Sequence, residues 1–180
     1  MSKKQKRDTE SITFRLQSES LQKLRQEAEQ KDISINTLVT QILKQHGEWH
    51  SNASKAGFIS ARRAFLVKLM DKISENDITS ISEGLARKET KDFVLLLRNE
   101  YSLESALKTI ESWIRISGFA FRHENTDIIH SYIIQHDMGK KMSLYLAELF
   151  RNLFDEFSLK KVQFDLSENI VSFVVDTSSA

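Results

Sequence analysis

At 180 residues, with 40% hydrophobic and 28% charged side chains, the chain has the composition of an ordinary globular domain, or of a small module joined to a medium one. It has no apolar run of the roughly 18 residues that span a bilayer, no signal-peptide pattern after Met1 and no cysteine for disulfides or thiolate metal sites. A cytoplasmic chain without a membrane partner is therefore expected. The formal net charge of +1 conceals an asymmetry, with ten Lys/Arg against seven Asp/Glu in residues 1–56 and sixteen against eighteen in the rest.

Four of the early cations, Lys3, Lys4, Lys6 and Arg7, form a basic arm, a pattern suited to phosphate but shared by ordinary solvated tails. In "SITFRLQ" the apolar residues Ile12, Phe14 and Leu16 alternate with Thr13 and Arg15, the period of a strand. From Leu21 the spacing becomes helical, with Ser18 as the expected N-cap and an end near Lys31. "KDISINTLVTQILKQHG" then reads as turn, cap at Ser34, helix, and stop at Gly47. A strand with no neighbour in its own module leaves its backbone groups unpaired and must find a partner elsewhere.

"HSNAS" lies in an expected linker over 50–57, which separates a first domain (1–49) from a second (58–180). Residues 58 to about 101 carry helical spacing as a helical lead-in, within which "DFVLLLRN" fits a short helix or a buried strand, the helix being favoured. "SLESALKTIESWIRISG" is an amphipathic helix with Ser102 as cap and Gly118 as stop. Next come a hairpin turning at Asn125-Thr126, a long helix after Gly139, and a second hairpin around Glu168-Asn169. The fold class is α+β, and the second domain is an α-β-β-α-β-β unit whose helices cover a four-stranded antiparallel sheet.

Residues 11–46 resemble the ribbon-helix-helix family of DNA-binding regulators, on the strength of "SITFRLQ" before one helix and "D-I-S-I-N-T-L-V" opening the next. The resemblance implies an intertwined dimer in which the lone strand pairs with its copy, and the resulting ribbon enters the major groove of double-stranded DNA. It places Ile12, Phe14 and Leu16 in the dimer core and Ser11, Thr13 and Arg15 against base edges, with Arg15 suited to guanine. It also places Ser34, Ile35 and Asn36, at the start of the second helix, against a DNA phosphate, and Lys3, Lys4, Lys6 and Arg7 against others. Gln17 departs from the proline that many relatives carry. The second domain resembles unassigned domains of archaeal regulators, a likeness that implies no activity.

His123, His130 and His136 form the other constellation. With the first hairpin turning at Asn125-Thr126, Phe121 faces His130 and His123 faces Ile128, so the three histidines share a face and His123 is diagonal to His130. They are candidates for a divalent metal or an anionic ligand; ordinary half-buried or surface histidines would give the same spacing. Gly139 with Lys140 and Lys141 is open to the same two readings, anion cradle or tight turn. No nucleophile elbow, zinc-protease motif or dinucleotide fingerprint occurs, so no enzyme and no cofactor are expected. The combined expectation is a sequence-specific transcription regulator, acting as a homodimer or higher oligomer. The alternatives are a metal- or small-ligand-responsive repressor of the nickel-regulator type, or an antitoxin.

Overall fold

The computed structural model describes residues 10–126, 128–157, 159 and 162–178, without the side chains of Arg87 and Lys88. The chain divides into two compact units, Met1–Lys44 and Gln45–Ala180. No helix among the described residues is long and apolar enough to cross a membrane.

In the first unit, helix α1 (Ser18–Gln30) is followed by helix α2 (Ile35–Gln45). The N-cap of α1 is Gln17 rather than Ser18, with an extended backbone and no side-chain bond to the helix. Its C-terminus closes as a Schellman turn. Asp32 adopts φ 52°, its N–H donates to Glu29 O, and the Ile33 N–H donates to Ala28 O at 3.0 Å. Ser34 then caps α2, its hydroxyl accepting from the Thr37 N–H at 3.0 Å.

The strand expected over 11–17 is not formed, and no β-ribbon is evident in the single chain. Those residues enter no ladder, because unit 1 holds no second strand among its described residues to supply donors and acceptors. They are exposed throughout.

The second unit begins without a break. Gly47, read as a helix stop, lies inside a wide π-helical turn (His46–His50) that runs on into Ser51–Ala53, and the chain leaves the helix only at Gly57, φ 79°. The segment 50–57 is thus no free linker. Trp49 and Ala53 are buried, and Trp49 meets Phe58 and Phe93 edge-on at 5.1 and 5.3 Å. Glycine is tolerated inside a helix at a cost of about 1 kcal/mol, which the packing of Trp49 is well able to offset.

Helices α3 (Arg63–Lys72) and α4 (Glu75–Leu85) come next, and a second π-helical turn (Ala86–Thr90) leads into α5 (Lys91–Arg98). Helix α6 (Leu103–Ile116) starts at Ser102, whose hydroxyl accepts from the Ser105 N–H, and its exit turn holds Gly118 at φ 66°. Both were legible in the sequence. Strands β1 (Ala120–Thr126) and β2 (Ile129–Gln135), helix α7 (Lys140–Asp155), and strands β3 (Val162–Leu166) and β4 (Ile170–Asp176) complete the α-β-β-α-β-β order.

The sheet is antiparallel throughout, in the order β1-β2-β4-β3, so the second strands of the two hairpins meet in the middle. Central strands bury one face and alternate accordingly. Tyr132 and Ile134 on β2, and Val171, Phe173 and Val175 on β4, join Ile110 and Ile114 of α6 and Leu146, Phe150 and Phe154 of α7 in one core. Phe173 packs on Tyr132, Phe164, Phe150 and Phe154 with ring centroids 4.8 to 5.5 Å apart. The second hairpin turns at Glu168-Asn169, closed by Ser167 N–H donating to Ile170 O at 2.9 Å.

The first hairpin does not turn at Asn125-Thr126. Thr126 pairs with Ile129, so the loop is one position pair further along, and Asp127 within it lies outside the described residues. Phe121 therefore faces Ile134 instead of His130, and His123 faces Tyr132 instead of Ile128. This register sets Tyr132 between His123 and Phe173 in one row across the sheet.

Candidate functional site

Two regions carry the residues that the sequence singled out. In unit 1, Ser11, Thr13 and Arg15 are exposed, and Arg15 has no ion pair among the described residues. Ile12, Phe14 and Leu16 are 72%, 55% and 51% exposed, and Ile42 and Leu43 of α2 are also open to solvent. Only Ala28 and Leu38 are buried among the described residues of this unit. Five large apolar side chains on the outside and two residues on the inside make a module whose core is incomplete in one chain.

The start of α2 presents Ser34, Ile35 and Asn36. The Ser34 hydroxyl takes the Thr37 N–H and bonds the Thr37 hydroxyl at 2.8 Å, while the first N–H groups of any helix have no acceptor within it. With no acidic residue in the first turn, the positive end of the helix dipole is uncompensated there. Lys3, Lys4, Lys6 and Arg7 lie outside the described residues.

In unit 2 the three histidines are not one cluster. His123 and His130 meet, and His136 stands apart. The register slipped by an even number of residues from the sequence expectation, so His123 and His130 keep a common face and a diagonal relation. His123 Nε2 and His130 Nδ1 are 3.1 Å apart, with rings stacked at 5.3 Å. Glu111 of α6 reaches this pair, its carboxylate oxygen lying 3.0 Å from His123 Nδ1 and accepting from the Tyr132 hydroxyl at 3.0 Å. With His123 Nδ1–H donating to Glu111, Nε2 is left to accept from His130 Nδ1–H.

Burial, then the neighbouring His123, holds His130 below the ordinary histidine value, against the opposing pull of Glu111. Burial and the Glu111 charge push the Tyr132 phenol well above its ordinary value. Glu111 was not singled out from sequence, although it comes four residues after Leu107 and so sits on the inward stripe of an amphipathic helix.

His136 is fully buried, and its bonds are local and complete. Nδ1 accepts from the Met138 N–H at 3.1 Å, so Nε2 carries the proton and donates to Ser143 Oγ at 2.9 Å. Ser143 donates in turn to Ser167 O at 2.7 Å. The same junction is held by His136 N–H to Asn169 O and by Gly139 N–H to Asn169 Oδ1, both 3.0 Å. His136 thus ties the β2–α7 turn to the second hairpin, a structural role that removes it from the candidate metal ligands.

Lys141 is likewise engaged, donating to Asp71 O and Ile73 O at the end of α3, and Lys140 stands 3.9 Å from Glu75. Neither is directed at an anion at Gly139. Among the described residues no group of three or more His, Cys, Asp or Glu side chains is placed to hold a metal ion. The sequence was compared with protein-family models and with curated proteins, and neither comparison found a match.

Proposed function

We propose that this chain is a sequence-specific DNA-binding transcription regulator that acts in the cytoplasm as a homodimer or higher oligomer. Residues 11–17 of two copies pair as an antiparallel ribbon and enter the major groove. The observation that carries the reading is the incomplete core of unit 1. Ile12, Phe14 and Leu16 alternate on an exposed segment ahead of two short helices, the second of which leaves its apolar residues Ile42 and Leu43 open. Pairing two such segments would satisfy the strand backbone and bury all five side chains at once.

In that arrangement Ser11, Thr13 and Arg15 face base edges, and Arg15, free of ion pairs with described residues, is able to bond guanine O6 and N7 together. Ser34, Ile35 and Asn36 supply a helix start to a phosphate, and the basic arm adds sequence-independent attraction. The second unit provides assembly and a place for a ligand to act.

The test is mass by light scattering together with fluorescence anisotropy on a selected operator and on random duplex at several salt concentrations. A dimer or larger species at low micromolar concentration is expected, with specific binding that weakens with salt. A folded monomer, or equal affinity for operator and random DNA, would overturn the proposal.

A further inference from the structure

Unit 2 contains a cavity of about 680 Å³ between α5, α6 and α7, closed on one side by the segment 55–58. That volume lies within the roughly 300–1,000 Å³ of small-molecule sites. We propose that this cavity binds an organic cation with an apolar, aromatic body, held against ring faces and against the carboxylates of Glu89 and Asp92. The site is independent of residues 10–44 and of DNA.

Three observations carry the assignment. The walls are largely aromatic and aliphatic. Phe58 and Phe93 lie 4.6 Å apart, both packed on Trp49, and Trp113 and Phe150, 6.2 Å apart, line the cavity as well. Such rings attract a cation to their faces and an apolar body to their area.

The lip is acidic. Glu89, in the π-helical turn, and Asp92, in the first turn of α5, both line the cavity and are exposed, and neither has an ion pair among the described residues. Lys91 between them is turned to the Tyr101 ring, 5.2 Å from its centroid, and the cavity's own cation, Lys55, sits 3.5 Å from Asn52 Oδ1. Burial, and after it the Glu89 charge, raises the pKa of the Tyr145 hydroxyl in the cavity wall.

Finally, Glu89 and Thr90 belong to the π-helical turn Ala86–Thr90. A wide turn of this kind adds a residue to the helical path and rotates the downstream helix by about 100°, which changes the side chains that face the cavity. Such turns are uncommon and concentrate at functional sites.

Tetraphenylphosphonium and tetraphenylborate share size and shape and differ in the sign of their charge. Calorimetric titration of the full-length protein should give one saturable site per chain for the cation, at least about tenfold tighter than for the anion. Quenching of tryptophan fluorescence should trace the same curve, because Trp113 lines the cavity. The double variant Glu89→Gln/Asp92→Asn alters two exposed side chains, so it should keep its circular dichroism while its cation preference falls to about threefold or less. Equal affinity for the two ions overturns the cation assignment, and a preference that survives in the variant overturns the role of the carboxylates. No saturable cation binding at millimolar concentration overturns the site, and each of these results leaves the DNA reading standing.

Discussion

Unit 1 buries only Ala28 and Leu38 among its described residues, whereas unit 2 encloses a core of large side chains around Tyr132, Phe150, Phe154 and Phe173. Both contain amphipathic helices, some of them capped by serine (Ser34 in unit 1, Ser74 and Ser102 in unit 2), and segments of alternating polarity. Capping and periodicity therefore specify elements without making a module stable by itself. What separates the units is apolar area removed from water, which scales with the number of elements that can close around one another. Unit 2 packs two long helices on a four-stranded sheet. Unit 1 has two helices and the exposed segment 11–17, and in the proposed dimer the second copy supplies the area that one copy lacks.

The largest expected effect probes that difference directly. Phe173→Ala should cost ~3–5 kcal/mol in the unfolding of unit 2, by urea denaturation, at every protein concentration. Phe14→Ala should cost a similar ~3–5 kcal/mol, but through assembly, so the loss in thermal melts should grow as the protein is diluted. If Phe14→Ala is silent at all concentrations, residues 11–17 are not part of a shared core and the contrast between the units loses its explanation.

Next comes base reading. Arg15→Ala should lose ~1–3 kcal/mol on the operator and much less on random duplex, as measured by anisotropy, with folding and assembly intact. Neutralising Lys3, Lys4, Lys6 and Arg7 should weaken all duplexes alike and flatten the salt slope by about 0.9 for each phosphate no longer neutralised.

A pH effect should appear in unit 2 alone. Burial, reinforced by the charge of Arg63 and opposed by Asp137, holds the folded pKa of His136 below 6.5. The folded unit therefore favours the neutral ring, and the unfolded chain binds more protons. Stability from this group is complete above 6.5 and is lost as pH falls from there through the folded value; His130 acts in the same direction. Urea midpoints between about pH 7.5 and about pH 5.5 should fall, with a slope of at most ~1.4 kcal/mol per pH unit for each proton, and His136→Gln should flatten them. An unchanged slope in that variant would show that His136 does not carry the effect.

The smallest effects are the caps. Ser102→Ala and Ser34→Ala should each cost ~1 kcal/mol, the first in the denaturation of unit 2, the second in the concentration-dependent melting of unit 1. If both losses are independent of concentration, unit 1 is stable without a partner.

Read alone, the sequence determined the order of helices and hairpins, the caps at Ser34 and Ser102, the left-handed exit at Gly118 and the turn at Glu168-Asn169. Each depends on a few adjacent residues, because capping, periodicity and left-handed turns are short-range chemistry. Only the tertiary structure decided that the helix runs through Gly47 and that the first hairpin pairs His123 with Tyr132. It also decided that Glu111 joins the His123–His130 pair and that His136 braces a turn. In three of these a contacting partner lies far along the chain: Phe93 for Trp49, Phe173 for Tyr132, Ser167 for the Ser143 that holds His136. The cavity and its acidic lip had no local signature at all, since a void belongs to no single segment and exists only once segments from 55 to 153 close around it.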